Sequence, residues 1–238
     1  MNAIITGASK GIGKAIAEKL VSQGMNVAIC ARNENDLAAT VNELKSINSN
    51  VQIFSQACDL SNTNEVKKFG NNVLAAFDTI HLLINNAGTF IPGDISNEAE
   101  GNLENLINLN LYSAYHLTRT ILPSMMKNDN ESGTRGHIIN MSSVAALKAY
   151  THGGAYSISK YALEGFSKNL REELKPHLIK VTSIQPGATM SDSWKGSGIA
   201  DDRIMRAQDI ADMVWAIYNL SPQAVVEDIL LRPQLGDL

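Results

Sequence analysis

The sequence predicts an α/β fold, a Rossmann-type doubly wound parallel sheet of about seven strands flanked by helices on both faces. Two observations predict it: short, continuously apolar runs recur along the chain, and amphipathic stretches of helical period separate them. A third is the turn Gly7-Ala8-Ser9-Lys10-Gly11-Ile12-Gly13, set between the first apolar run and the first amphipathic stretch. Strands are expected at Ala3–Thr6, Asn26–Ala31, Val51–Gln56, Ile80–Asn85, His137–Ser142, Lys180–Gln185 and Val225–Leu231. A strand covered on both sides needs no polar face, which explains the unbroken runs. Helices at 12–23, 34–47, 62–77, 101–129, 155–176 and 207–219 fit between them. Asn128–Gly136 is polar, with Gly133 and Gly136, and reads as a loop. Pro186–Arg206 is an irregular segment, longer than usual connections and placed where such folds cover a ligand.

With 238 residues, 44% hydrophobic and 18% charged, the chain has the material for one substantial core. No repeat, low-complexity tract or linker divides it, so residues 1–238 are read as one domain. A net charge of −4 with scattered Lys and Arg offers no stripe for a phosphate backbone, which argues against nucleic acid. No apolar run reaches the roughly 18 residues of a membrane span, and the N-terminus lacks a charged export region, so a cytoplasmic protein without a membrane partner is expected. Cys30 and Cys58 end strand-like runs and lack the close spacing of a redox or metal pair. They are read as reduced, buried packing residues, and no metal site is expected.

A glycine turn between strand and helix lets a dinucleotide pyrophosphate approach the backbone, with the helix N–H groups facing its charge. The spacing Gly7-x-x-x-Gly11-x-Gly13 resembles that of the short-chain dehydrogenase/reductase family rather than the commoner Gly-x-Gly-x-x-Gly. Further motifs in matching order carry the resemblance: Asn85-Asn86-Ala87-Gly88 after the fourth run, Ser143, Tyr156-x-x-x-Lys160, and Pro186-Gly187 after the sixth. A weaker likeness, to bacterial sepiapterin reductase-like members, rests on Val225–Pro233 and on the stretch from Pro186 to Trp194.

The resemblance implies an NADP(H)-dependent oxidoreductase moving a hydride between nicotinamide and a carbonyl or alcohol. Gly7, Ser9, Lys10, Gly11, Ile12 and Gly13 would then cradle the cofactor, with a dinucleotide-binding part over about 1–142 and a catalytic and substrate part over about 143–238. After the second strand, where an NAD enzyme offers an acid, this chain has Ala31-Arg32. Arg32 and Lys10 suit a 2′-phosphate. Asp59 and Leu60 match the adenine contact, although Asp59 or Ser61 also suits a helix cap. Asn86, Ala87 and Gly88 would line the cofactor, and Pro186, Gly187, Thr189 and Ser191 would lie beside the nicotinamide. Ser191 stands where the family usually has threonine.

Tyr156 and Lys160, four residues apart, share one helix face. Ser143 lies thirteen positions before Tyr156, at a strand end; Ser142 is its rival. Tyr156 is read as proton donor, Ser143 as hydrogen-bonding the substrate oxygen and Lys160 as tuning the phenol and binding the nicotinamide ribose. Bringing a phenol of pKa about 10 near neutrality requires stabilising its anion by about 4 kcal/mol, which an adjacent ammonium and the oxidised ring would supply. Asn110, with Asn108 as rival, fits the family's asparagine that helps hold a relay water to Lys160. Leu147, Tyr150, His152, Met190 and Trp194 are expected to form a mixed apolar and aromatic substrate wall. It would suit an aromatic or heterocyclic ketone or a 3-oxoacyl thioester. Family members pair helices matching 101–129 and 155–176, implying a homodimer or homotetramer. A non-catalytic NADP-binding sensor would be expected to lack Ser143, Tyr156 or Lys160, and an epimerase to need more than the 47 residues after Ser191.

Overall fold

The structure is a computed structural model that describes residues 1–129, 131, 133–191 and 198–237. Trp194 lies outside the described residues. Seven strands form one parallel sheet: β1 (Asn2–Thr6), β2 (Asn26–Ala31), β3 (Ile53–Ala57), β4 (Leu82–Asn85), β5 (Gly136–Met141), β6 (Ile179–Pro186) and β7 (Asp228–Leu231). Their spatial order is β3-β2-β1-β4-β5-β6-β7. The chain winds outward from β1, then returns to place β4 beside it, with Ile5 opposite Ile84. That reversal opens a crevice beyond the carboxyl ends of β1 and β4.

Helices α1 (Gly11–Ser22), α2 (Glu34–Ile47) and α7 (Ala207–Tyr218) cover one face. Helices α3 (Thr63–Ala76), α5 (Ser113–Met125) and α6 (Gly154–Leu174) cover the other. Alternation along β1 shows why both layers are needed: Ala3 and Ile5 enter the core with Ile16, Leu20 and Val214, whereas Ile4 enters that with Phe69, Leu117 and Leu170. Each fully buried aliphatic side chain contributes on the order of 2 kcal/mol, so neither layer is dispensable. Cys30 and Cys58 are free thiols in the second layer, and burial pushes Cys58 up to about 12.

The expected helix at 101–129 is interrupted. Helix α4 (Asn102–Ile107) runs into a π-helical segment, Asn108–Tyr112, before α5 begins. The long segment after β6 is pinned by a bridge between Thr189 and Met205, with Met190 N–H donating to the Met205 carbonyl at 2.8 Å. Among the described residues, no helix is long and apolar enough to cross a membrane.

Candidate active site

The crevice is built first by the turn after β1. Gly7 has φ +65°, a conformation that a side chain would strain. A Cβ on Gly13 would stand 2.3 Å from the Gly7 carbonyl oxygen and 2.4 Å from Asn86 Nδ2, so only glycine lets α1 close onto the loop. Asn86 fixes that loop from β4: its Nδ2 donates to the carbonyls of Thr6 (2.8 Å) and Gly7 (3.2 Å). The N–H groups of Asn86 and Ala87 donate to Thr6 Oγ1. Helices α2 and α3 are capped by Asn33 and Asn62 side chains, but the start of α1 has no side-chain cap. Its first N–H groups therefore face the crevice ready for an anion.

Among the described residues this crevice is a cavity of about 780 Å³, within the range of a cofactor site. At one end it meets Ser9, Lys10, Gly11, Arg32 and Leu60; at the other, Ser143, Tyr156, Lys160, Gly187 and Ser191. Lys10 Nζ pairs with Asp36 Oδ2 at 2.9 Å, so the basic end also contains an acid. Asp59 does not line the cavity. Its Oδ1 accepts from the N–H (3.0 Å) and hydroxyl (2.8 Å) of Ser61, and these bonds, with Arg32 nearby, hold its carboxyl below the usual range. It organises the turn into α3, whose cap is Asn62 rather than Ser61.

The second wall joins β5 to α6. Lys160 is buried and donates Nζ to the Met141 carbonyl at 2.9 Å, which seats it against the end of β5. Tyr156, one turn earlier, lines the same cavity as Ser143, whose hydroxyl favours the phenolate. Ser143 Oγ also accepts from Ala145 N–H at 3.1 Å, fixing its rotamer. Ser142, the rival, lines the cavity too, but its buried hydroxyl has no hydrogen-bond partner among the described residues. Asn110 is buried in the π-helical segment. Its Oδ1 accepts from Thr89 N–H (2.9 Å), and its Nδ2 donates to the Thr89 carbonyl (3.1 Å) and Ser159 Oγ (2.9 Å). The side chain thus braces the β4 loop against α6 beside Lys160 rather than bonding the lysine itself.

Residues 1–200 match the family model for short chain dehydrogenases. The chain belongs to the short-chain dehydrogenase family. Over 251 aligned residues it is 30% identical to the sepiapterin reductase of Chlorobaculum tepidum, covering 99% of this chain and 97% of that enzyme. A metagenomic short-chain oxidoreductase solved in complex with NADP superposes with a TM-score of 0.82 at 34% identity, over 99% of this chain and 98% of that one. The alcohol dehydrogenase of the archaeon Thermococcus sibiricus, complexed with 5-hydroxy-NADP, gives 0.88 at 26% identity, over 100% and 98%.

Electrostatics in this short-chain dehydrogenase depart from one expectation. Burial, not the neighbouring ammonium, dominates Tyr156: it pushes the phenol above its usual value, and the Ser143 hydroxyl pulls it back only in part. The same burial lowers Lys160 to about 8, against the opposing pull of the Glu164 carboxylate. A dry site penalises phenolate and ammonium alike. The substrate wall also differs. Tyr150 lines the cavity, but Leu147 is 46% exposed and, with His152 and Met190, lies outside the lining. His152, at φ +60°, is turned to Asp94, Nδ1 to Oδ1 at 3.1 Å. Phe90 is a site residue with no counterpart among the sequence expectations. Its ring stands edge-on to Tyr156, centroids 4.9 Å apart, and it lines the cavity just after Thr89, which follows the Asn-Asn-Ala-Gly motif directly. Arg232 and Asp237, from the segment after β7, also reach the cavity and were not anticipated.

Proposed function

We propose that this chain is an NADP(H)-dependent oxidoreductase that reduces a carbonyl compound, an aromatic or heterocyclic ketone or a 3-oxoacyl thioester. The observation that carries this reading is the joining of two half-sites in one cavity: the glycine cradle with Arg32 at one end and Ser143, Tyr156 and Lys160 at the other. The NADP-bound relatives at 34% and 26% identity support the cofactor, and the likeness to sepiapterin reductase supports the heterocyclic ketone.

Gly7, Ser9, Gly11, Ile12 and Gly13 would hold the pyrophosphate, Arg32 and Lys10 the 2′-phosphate, and Leu60 the adenine. Asn86, Ala87, Gly88, Pro186, Gly187, Thr189 and Ser191 would line the nicotinamide half. When bound, the nicotinamide supplies the hydride. Ser143 would hydrogen-bond the substrate oxygen and Tyr156 would give it a proton, each within a turn or strand end that fixes its direction. Lys160 would hold the ribose and stabilise the phenolate left after proton transfer, which burial otherwise disfavours. Phe90 and Tyr150 would press on the substrate.

In this reading residues 1–238 act as one domain with the cofactor part at about 1–142. Exposed Tyr112, Tyr115, Ile158 and Tyr161 on the π segment, α5 and α6 suit a homo-oligomeric interface. Buried, free Cys30 and Cys58 suit the cytoplasm. A panel of aromatic ketones, a pterin and a 3-oxoacyl thioester, offered with NADPH or NADH, tests the whole reading. Loss of absorbance from the reduced ring with NADPH is expected; no turnover of any member refutes the proposed activity.

A further inference from the structure

A carboxylate that the reaction as described does not use lies one helical turn beyond Lys160. Glu164 is 5% exposed, as is Lys160, and the two stand at i and i+4 on the face of α6 that meets the sheet. From β6, Ser183 Oγ donates to Glu164 Oε1 at 2.6 Å and Gln185 Nε2 donates to the same oxygen at 2.9 Å. Ser183 and Gln185 are themselves buried. Both bonds would be accepted equally by the amide oxygen of a glutamine, so they do not by themselves call for a carboxyl group at this position. Burying a carboxylate is expensive unless a cation answers it.

The charged and titratable groups around this pair are few. Arg171, further along α6, is turned to Glu227 and Asp228 beside β7. Strand β5 offers Lys160 only the Met141 carbonyl, the π-helical segment only the Asn110 amide beside it, and β6 offers Glu164 two neutral donors. Among the described residues Tyr156 is a further ionisable neighbour, with Lys160 Nζ 5.9 Å from its ring centroid.

We propose that Glu164 is a positioning residue of this active site: held by β6, its negative charge keeps the buried ammonium of Lys160 in the charged form. This rests on the role given to Lys160 above. The electrostatics agree in direction, since Glu164 is the neighbour that opposes the burial of Lys160. The charge then reaches the phenol indirectly, through the lysine, and Glu164 touches neither substrate nor nicotinamide.

The test titrates Lys160 in the cofactor-free protein by NMR with ¹³C-labelled lysine, its resonance assigned by disappearance in Lys160→Met. The midpoint is expected near pH 8 in the parent chain. In Glu164→Gln, which keeps both bonds from β6, it should fall by about one pH unit or more. Ser183→Ala, which keeps the charge and loses a bond, should lower Tm without moving the midpoint. An unchanged midpoint in Glu164→Gln would make Glu164 a mere stitch between α6 and β6 and overturn the proposal. Should that variant not fold, the ¹³C shift of the Glu164 carboxyl in the parent decides: a protonated acid at pH 7 overturns it, an ionised one supports it. Neither titration needs turnover, so an inactive substrate panel would refute the reductase reading while leaving this result separately readable. With an active substrate, the alkaline limb of kcat should move down by the same interval in Glu164→Gln.

Discussion

Tyr156, Lys160 and Arg32 show how differently single residues are governed by their surroundings. Burial raises the Tyr156 phenol above its usual value, which disfavours the anion that proton donation in the proposed reaction would leave, so the ammonium of Lys160 would have to offset it. Replacing Tyr156 with Phe keeps the ring against Phe90 and removes the proton. It should lower kcat by about 10²–10⁴-fold, while NADPH binding, followed by fluorescence titration, stays within a few-fold of the parent. Full activity in that variant would remove Tyr156 from the reaction. Arg32 is exposed and reaches the cavity end opposite Tyr156. If it binds a 2′-phosphate, Arg32→Ala should weaken NADPH by about 10–100-fold and leave NADH nearly unaffected, by the worth of one charged hydrogen bond. Equal loss with both cofactors in titration would count against that contact.

At the scale of elements, the glycine turn with α1 and the interrupted helix from Asn102 to Met125 make an instructive pair. The turn was legible because its demands are local: a positive φ at Gly7 and an absent Cβ at Gly13 are properties of residue type. Gly13→Ala forces its methyl against the Gly7 carbonyl, which is backbone and cannot swing aside, and against the Asn86 amide that braces the loop. It should cost at least about 2 kcal/mol in urea unfolding and abolish dinucleotide binding by calorimetry; a stable, binding-competent variant would contradict the close approach. The π-helical segment was not legible. Its residues keep an ordinary helical period, and the extra residue in the turn is tied to contacts of Asn110 with Thr89 and Ser159, which lie 21 and 49 positions away.

Across the whole molecule, folding is coupled to protons through a residue remote from the active site. His137, in β5, is buried with Nε2 2.7 Å from Thr182 Oγ1. The Thr182 hydroxyl is committed as donor to the Val226 carbonyl, so it accepts from the histidine, whose Nδ1 has no partner. Burial lowers its pKa to about 3. Between there and its usual value of about 6.5, the unfolded chain binds a proton that the folded chain refuses. Stability should therefore fall as pH drops through that window, by a few kcal/mol from this group alone. His137→Gln, which retains a donor to Thr182, should give a flatter profile than the parent in urea melts from pH 6.5 to 4. Parallel profiles would show that His137 is not the group responsible.

The sequence by itself determined the succession of seven strands and their helices, the glycine cradle, and the spacing that puts Tyr156 and Lys160 on one face. These follow from the period of apolar residues and from geometry within a single element. Only the tertiary structure decided that Phe90 stands over Tyr156, that Leu147, His152 and Met190 leave the cavity wall, and that Arg232 and Asp237 enter it. It alone set Glu164 under two donors from β6 and made burial the ruling influence on Tyr156. The reason is physical: spacing along an element is fixed by its backbone, whereas the meeting of side chains from distant elements, and the water they exclude, exists only once the layers are packed.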